Sequence, residues 1–194
     1  MIQEDENTGI ITSRQERRNS IVRKSVNLSK ETHVVAANLD HAFLIVTVVN
    51  PATSTGFIDR FLVTAEAYQV PVSIVFNKVD VCTEGTSERE QLEYLEAVYS
   101  KAGIRTLRTS AKTEEGLDSF ADAMASAGVN LLSGHSGVGK STLINALIPG
   151  MELRTGEVSD AHQKGKHTTT FAEMFPLPAG GFIIDTPGIK GFGL

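Results

Sequence analysis

The segment GHSGVGKST at residues 134–142 constrains the fold of this chain more strongly than any other feature. It matches the phosphate-binding pattern G-x-x-x-x-G-K-[ST] without a gap. Such a loop connects a β-strand to an α-helix, because its backbone N–H groups and the positive end of the helix bind phosphate together. The flanking segments VNLLSG and KSTLINALI are typical of that strand and that helix. The sequence therefore predicts an α/β phosphate-binding domain.

Strand-like and helix-like segments alternate from about residue 41 onward. The apolar runs HAFLIVTVV and PVSIVF are typical of strands buried on both faces of a sheet. SEREQLEYLEAVYSKAG is a predicted helix with a capping box at Ser87 and Glu90. Its predicted core stripe is Leu92, Leu95, Val98 and Tyr99. The alternation predicts a doubly wound, mainly parallel sheet of the P-loop NTPase class, whereas residues 9–37 have the pattern of short β-strands.

The phosphate-binding loop supplies several kinds of contact. Its three glycines let the backbone approach the phosphates closely, and the N–H groups of residues 136–140 would surround them. Lys140 would reach the β- and γ-phosphates, and the Ser141 hydroxyl would bind Mg²⁺. The predicted phosphate-binding residues are Gly134, His135, Ser136, Gly137, Val138, Gly139, Lys140, Ser141 and Thr142. No role is assigned to the side chain of His135.

Two short motifs, NKVD at residues 77–80 and TSAK at residues 109–112, predict the choice of base. Asp80 can accept hydrogen bonds from the ring N–H and exocyclic amine of guanine, whereas adenine would leave this carboxylate unpaired, at a cost of about 1–3 kcal/mol. Asn77 would contact the purine edge or brace the phosphate loop, the Lys78 stem would pack on the ring, and the Ala111 N–H would meet the base oxygen. The predicted base-binding residues are Asn77, Lys78, Val79, Asp80, Ser110, Ala111 and Lys112.

DTPG at residues 185–188 completes the motif set at the end of an apolar strand. Asp185 is expected to hold Mg²⁺ through a water molecule, and the Gly188 N–H to contact the γ-phosphate. One threonine of residues 168–170, with Thr169 as the candidate, should complete the Mg²⁺ shell beside Ser141.

The motifs occur in an unusual order, with the base motifs before the phosphate loop. A tandem of two half-enzymes would need a phosphate loop before residue 77, and residues 1–76 contain none. A circular permutation needs one complete set, which the sequence has. Permutation is tolerable because ligands of α/β sheets bind at the carboxyl ends of the strands, whatever the strand order. The motif inventory therefore favours a circularly permuted GTPase.

The composition indicates a cytoplasmic protein without a membrane segment. The chain has one cysteine, Cys82, five histidines without zinc-ligand spacing, an acidic N-terminal segment unlike a signal peptide, and no apolar run long enough to cross a bilayer. The net charge of −5 argues against general attraction to nucleic acid. The segment at residues 13–30, however, has six cationic side chains and one acidic side chain, Glu16. This excess of positive charge indicates either a solvated strand edge or a phosphate-contacting patch. The six cationic side chains are Arg14, Arg17, Arg18, Arg23, Lys24 and Lys30.

The chain resembles the RsgA, or YjeQ, family of circularly permuted ribosome-associated GTPases. The resemblance rests on RKSVNLSKETHVVAANLD, TGFIDRFL, FNKVD, TSAKT, SGHSGVGKSTLINAL, GKHTTT and DTPGIKGFG. It implies late maturation of the small ribosomal subunit, with GTP hydrolysis stimulated by that subunit, Mg²⁺ as the cofactor and contacts with ribosomal RNA. It also implies an N-terminal OB-fold and a C-terminal zinc domain. We expect a monomer.

The two ends of the chain depart from that family pattern. Five OB-fold strands need about 50–60 residues, and only about 36 precede the GTPase part. No cysteine or histidine follows residue 167, so zinc is expected only for a domain that this chain lacks. We therefore expect a fragment, with the C-terminal part of an OB-fold at residues 1–36 and the permuted GTPase domain at residues 37–194. The basic segment then becomes an RNA-facing surface.

The sequence predicts slow unassisted catalysis. The residue after D-x-x-G is Ile189, which cannot hydrogen-bond to the attacking water as a glutamine does. The candidate replacement is His167 in GKHTTT, beside Lys140 and Gly188 as catalytic residues; the alternative is that ribosomal RNA supplies the missing group. A non-catalytic guanine-nucleotide-binding RNA scaffold remains the alternative function. An ATP-using enzyme is disfavoured by Asp80.

Overall fold

The computed structural model of the chain describes residues 2–5, 8–13, 16–24, 32–151, 153 and 173–185. The strands are β1 Ile2–Asp5, β2 Thr8–Ile11, β3 Ser20–Lys24, β4 Thr32–Ala37, β5 His41–Val46, β6 Val72–Phe76, β7 Arg105–Arg108, β8 Val129–Gly134, β9 Glu173–Pro176 and β10 Phe182–Asp185. The helices are α1 Thr55–Ala67, α2 Ser87–Lys101, α3 Leu117–Ala125 and α4 Lys140–Leu147, and a 3₁₀ turn spans Val79–Val81.

Six strands form the central sheet in the order β7-β6-β5-β8-β10-β9. All neighbouring pairs are parallel except β10 and β9, which are antiparallel. The strands β5 and β8 lie side by side at the centre, and almost all of their residues are buried. A central strand covered on both faces requires the continuous apolar pattern seen in HAFLIV. The predicted doubly wound, mainly parallel sheet is confirmed.

The helices divide between the two faces of this sheet. Alternate strand residues point to opposite faces, so Leu44 packs with α1 and α2, whereas Phe43 packs with α3 and α4. The first face is filled by apolar side chains such as Phe57, Phe61 and Leu92. Burial of two separate apolar clusters against one sheet fixes the layer order of helix, sheet and helix.

Helix α2 begins and packs differently from the prediction. Its cap is Thr86, whose side-chain oxygen accepts a hydrogen bond from the Arg89 N–H at 3.3 Å, so the predicted capping box at Ser87 is wrong. Leu92, Leu95 and Tyr99 are buried as expected, but Val98 is 41% exposed and lies outside the core. The apolar stripe is therefore narrower than the periodicity indicated.

The N-terminal region forms two antiparallel strand pairs, β1 with β2 and β3 with β4. The short strands predicted within residues 9–37 correspond to β2, β3 and β4, and β1 was not predicted. Ile21 and Ala36 are buried in the same apolar cluster as Leu39 and α1. The predicted boundary after residue 36 falls within β4. The assignment of residues 1–36 to an OB-fold stays a prediction.

Polar side chains tie β3 to the start of the central sheet. The Asn19 side chain accepts from the Leu39 N–H and donates to the Leu39 carbonyl, both at 2.8 Å. Asp40 accepts from the Val129 N–H at 2.8 Å and from Arg18 at 2.7 Å. These contacts, with the Val129 N–H as the larger cause, lower the pKa of the Asp40 carboxyl. In the described part of the chain, no helix is long and apolar enough to span a membrane.

Gly116 generates a stability prediction. It begins α3 with a φ of 71°, and a Cβ there would lie 2.0 Å from the Arg108 carbonyl oxygen. Gly85 has a similar φ of 79° but open space around it. An alanine at Gly85 therefore measures the cost of the left-handed backbone without a steric clash. We expect Gly85→Ala to lower the free energy of unfolding by about 1–2 kcal/mol and Gly116→Ala to lower it by at least about 1 kcal/mol more. Urea unfolding of both variants measures the difference; equal losses would contradict the close approach.

Candidate functional site

Four loops and the end of β10 meet at the carboxyl-end edge of the central sheet. The loops follow β5, β6, β7 and β8. The loops after β6, β7 and β8 carry motifs found in the sequence, and β10 ends with Asp185, the first residue of DTPG. Parallel neighbours bring these strand ends together, although the motifs are far apart along the chain. The edge is therefore the candidate nucleotide-binding site.

Residues 135–139 form the phosphate loop between β8 and α4. Gly137 and Gly139 have φ values of 85° and 89°, which favour glycine. A Cβ on Gly139 would lie 2.5 Å from the Asn77 amide nitrogen, and one on Gly134 would lie 2.5 Å from the Ile45 carbonyl oxygen. Among the described residues, the N–H groups of 135–139 donate no hydrogen bond. These N–H groups are available to bind an anion at the start of a helix.

Asn77 braces the phosphate loop from the base-recognition loop. Its side-chain amide donates to the Val138 carbonyl at 2.8 Å, and its side-chain oxygen accepts from the Thr109 hydroxyl at 3.1 Å. All three groups lie in the interior, where Thr109 is fully buried. Of the two roles left open by the sequence, the structure has Asn77 in the bracing role.

Lys78 makes a second link between the same loops. It has a left-handed backbone with φ of 62°, and its ammonium donates to the Gly137 carbonyl at 2.7 Å and to the Asn50 carbonyl at 2.5 Å. Burial lowers the pKa of Lys78, and the neighbouring Asp80 partly offsets this effect. Asn50, in the loop after β5, was not predicted as part of the site. The turn pair Asn-Pro directly after a buried strand was the available signal.

Asp80 and Ser110 bring the two base motifs together. The Ser110 hydroxyl donates to Asp80 Oδ1 at 2.7 Å and accepts from the Thr113 N–H at 3.2 Å. Ser110 is buried and Asp80 is half-buried, so one carboxylate oxygen is held from the protein side. Val79 is buried below the turn, whereas Ala111 is half-buried and Lys112 exposed. This arrangement orients a carboxylate at the rim of the site.

A buried ion pair joins the phosphate loop to the end of β10. Lys140 Nζ donates to Asp185 Oδ1, and the two residues are 9% and 1% exposed. The two opposite charges compensate each other in the protein interior, where an unpaired ion would strongly destabilise the fold. Ser141 is the next residue and is half-buried.

The oxygen atoms of Asp185 and Ser141 fit Mg²⁺ better than a metal ion that is bound by protein ligands alone. Asp185 and Ser141 offer oxygen atoms, which Mg²⁺ prefers, and Mg²⁺ keeps several waters or phosphate oxygens as ligands. Among the described residues, no three His, Cys, Asp or Glu side chains form a metal-binding group. A Mg²⁺ ion held by Asp185 and Ser141 would therefore complete its shell with waters or phosphate oxygens.

His135 packs on the first turn of α1. Its ring centroid lies 3.8 Å from that of Phe57, with an angle of 34° between the rings. Burial and then the nearby positive charge of Arg60 lower the pKa of His135, which favours the neutral imidazole. Sequence reasoning missed this contact, because Phe57 and His135 lie on separate elements.

The remaining predicted site residues lie outside the described residues. They are Gly188, Ile189, His167, Thr168, Thr169 and Thr170.

Comparison with known proteins gives a consistent result over the whole chain. The RsgA GTPase family model matches residues 14–194. A relative from Bacteroides fragilis, named small ribosomal subunit biogenesis GTPase RsgA, is 55% identical over 193 residues, which are 100% of this chain and 61% of the relative. A relative of the same name from Christiangramia forsetii is 52% identical over 190 residues, or 98% and 59% of the two chains. The chain thus spans about three fifths of these curated relatives.

Two solved structures share the fold. The crystal structure of YjeQ from Thermotoga maritima is 34% identical, with a TM-score of 0.71 over 93% of this chain and 55% of that chain. The structure of YloQ, a circularly permuted GTPase, is 23% identical, with a TM-score of 0.66 over 100% of this chain and 56% of that chain. The chain has the circularly permuted GTPase topology that its motif order predicted.

The position of Asp80 generates a prediction on base choice. We expect Asp80→Asn to weaken GTP binding and improve binding of xanthosine triphosphate, because an amide donor suits its 2-oxo group. The expected loss for GTP is about 1–3 kcal/mol, or about 5- to 150-fold in Kd. Asp122→Asn, which changes an exposed carboxylate on α3, is the control. Fluorescence titration with both nucleotides measures the exchange, and unchanged GTP affinity would remove Asp80 from the pocket.

Proposed function

The chain belongs to the RsgA GTPase family, and from this we propose that it binds and hydrolyses GTP as a factor in small ribosomal subunit biogenesis. The observation that carries the proposal is the Asn77 bridge, which joins the base-recognition loop to the phosphate loop. The curated relatives are named as biogenesis GTPases of the small subunit. Ribosomal partners are inferred from those names.

The phosphate loop binds the triphosphate in this proposal. The N–H groups of residues 136–140 and the N-terminal end of α4 attract the anionic oxygens. Lys140 moves its hydrogen bond from Asp185 to the β- and γ-phosphates. The braces from Asn77 and Lys78 fix the carbonyls of Val138 and Gly137, so that the N–H groups are oriented before the nucleotide arrives.

The base-recognition loops select guanine. Asp80 accepts hydrogen bonds from the guanine ring N–H and the exocyclic amine, and Ser110 holds the carboxylate in the receiving orientation. The Ala111 N–H donates to the base oxygen. Val79 and Lys112 complete the loops without a separate chemical role.

Mg²⁺, when bound, neutralises charge on the β- and γ-phosphate oxygens. Ser141 would hold the ion through its hydroxyl oxygen, and Asp185 would hold it through a water molecule. Thr169 is the candidate second protein ligand, beside Ser141. Gly188 contacts the γ-phosphate through its N–H and thereby reports on the state of the nucleotide.

Catalysis depends on a group other than the residue after D-x-x-G, since Ile189 cannot orient water. His167 is the candidate that orients the attacking water when the small subunit is bound. Intrinsic turnover without the subunit is then slow, at about 10⁻⁴–10⁻² s⁻¹ or below. Ribosomal RNA contacts the basic N-terminal segment of a monomer that acts in the cytoplasm, where the subunit is assembled.

A scaffold without useful turnover is the second candidate function, because Ile189 stands where a water-orienting residue is expected. Phosphate release from GTP with and without small ribosomal subunits separates the two candidates. Multiple turnovers with subunits support the enzyme, and binding without turnover supports the scaffold. Failure of the wild-type protein to bind GTP or GDP would contradict both.

Lys140→Ala tests whether the phosphate loop is the active loop. We expect hydrolysis to fall by at least about 10²–10³-fold, because a charged donor to the phosphates is lost. Lys101→Ala, in the last turn of α2, removes an exposed lysine remote from the loop and is the control. Phosphate release is the measurement. Normal hydrolysis by Lys140→Ala would show that residues 134–142 are not the active loop.

His167→Ala tests the proposed catalytic histidine in a chain that spans the full length of the curated relatives. We expect GTP affinity and subunit binding to be retained, and the subunit-stimulated rate to fall by about 10²–10⁴-fold, as for loss of a general acid or base. His162→Ala, which removes another histidine of the same polar segment, is the matched control. Stimulated turnover at the wild-type rate would assign the catalytic group to ribosomal RNA or another residue.

A further inference from the structure

We propose that His135 is a positioning residue, which anchors the first half of the phosphate loop to α1 by stacking on Phe57 and thereby strengthens phosphate binding. The inference rests on the proposed function, since it concerns the same loop. It assigns a role to a side chain that the phosphate-binding pattern leaves unspecified.

The two halves of the phosphate loop are anchored by different means. In the second half, the carbonyls of Gly137 and Val138 accept hydrogen bonds from Lys78 and Asn77. In the first half, no hydrogen bond within the described residues reaches His135 or Ser136. Ser136 is exposed, so it has no core contact that could hold the backbone. The ring of His135 is therefore the anchor of this half.

The surface that receives the His135 ring is rigid. Phe57 is 1% exposed and belongs to the core between α1 and the sheet. Its N–H donates to the Ser54 carbonyl at 3.0 Å, and the Ser54 side chain caps the helix. A centroid distance of 3.8 Å with tilted rings is close contact between two flat side chains. An anchor on a buried, capped helix turn can restrict the loop backbone.

The same helix turn is also connected to the base-recognition loop. Lys78 donates to the carbonyl of Asn50, and four residues later Ser54 begins α1. Lys78 donates to Gly137 as well, so the contacts close a ring from the phosphate loop through Lys78, Asn50 and α1 back to His135. A closed ring of contacts resists opening of the loop more than either contact alone.

Arg60 supports a role for a neutral ring at this position. It lies one turn after Gly56 on α1, and a Cβ on Gly56 would come within 3.6 Å of its guanidinium. Burial and then the positive charge of Arg60 lower the pKa of His135, and both favour the uncharged ring. Packing therefore uses the flat faces of His135 and Phe57, so another flat, uncharged ring should serve equally well.

The test compares His135→Ala, which removes the ring, with His135→Phe, which keeps a flat ring. In the nucleotide-free protein, we expect faster amide hydrogen exchange at residues 136–139 in His135→Ala and wild-type exchange in His135→Phe. We expect Kd for both GDP and GTP to rise about 3- to 10-fold in His135→Ala and to return close to wild type in His135→Phe. The preference for GDP over xanthosine diphosphate should stay unchanged, because Asp80 is untouched.

Tyr94→Ala is the control for loss of an aromatic side chain, since Tyr94 is 64% exposed on α2, and it should change neither readout. Equal exchange and equal Kd in wild type and His135→Ala would overturn the inference. A loss in His135→Ala that His135→Phe does not restore would also overturn it. If the wild-type protein binds no guanine nucleotide, the proposed function fails, while the exchange rates in the nucleotide-free protein still decide on the anchor.

Discussion

The side chain of Asn77 holds together loops that leave three different strands. Its amide donates to Val138, its carbonyl accepts from Thr109, and its backbone N–H donates to the Val46 carbonyl at 2.8 Å. An amide can do this because it carries donors and an acceptor at the end of a short side chain. Asn77 is 4% exposed, so a partner left without its hydrogen bond would cost about 1–3 kcal/mol. The relative position of the loops that follow β6 and β8 depends on this bridge.

The bridge also explains why the unusual motif order is compatible with one site. Asn77 precedes Val138 by 61 residues, yet the two groups meet because β5, between β6 and β8 in the sheet, is parallel to both. The first three central strands in the chain form one half of the sheet, and the last three form the other half. Contacts at the edge act through space and do not depend on which half comes first.

The sequence predicted the strands of the central sheet, the sheet type and the edge at which the motifs meet, because apolar periodicity and motif position are local properties. The sequence predicted less accurately which side chains of helix α2 are buried. Val98 and Tyr99 are neighbours on α2, and only Tyr99 turns inward, where its hydroxyl donates to Asp59 at 3.0 Å. The contacts of Asn50 and His135 were missed for the same reason, since each depends on a partner that packing brings close.

The ion pair between Lys140 and Asp185 couples the binding of the two parts of the proposed ligand, the nucleotide phosphates and Mg²⁺. Both charges are buried, and removal of one partner from a buried pair typically costs about 3–5 kcal/mol. A phosphate that takes Lys140 alone leaves Asp185 unpaired, and a cation that takes Asp185 alone leaves Lys140 unpaired. If a phosphate and Mg²⁺ arrived together, each buried charge would exchange one partner for another. In the proposed function, this ion pair therefore favours the metal–nucleotide complex over either component.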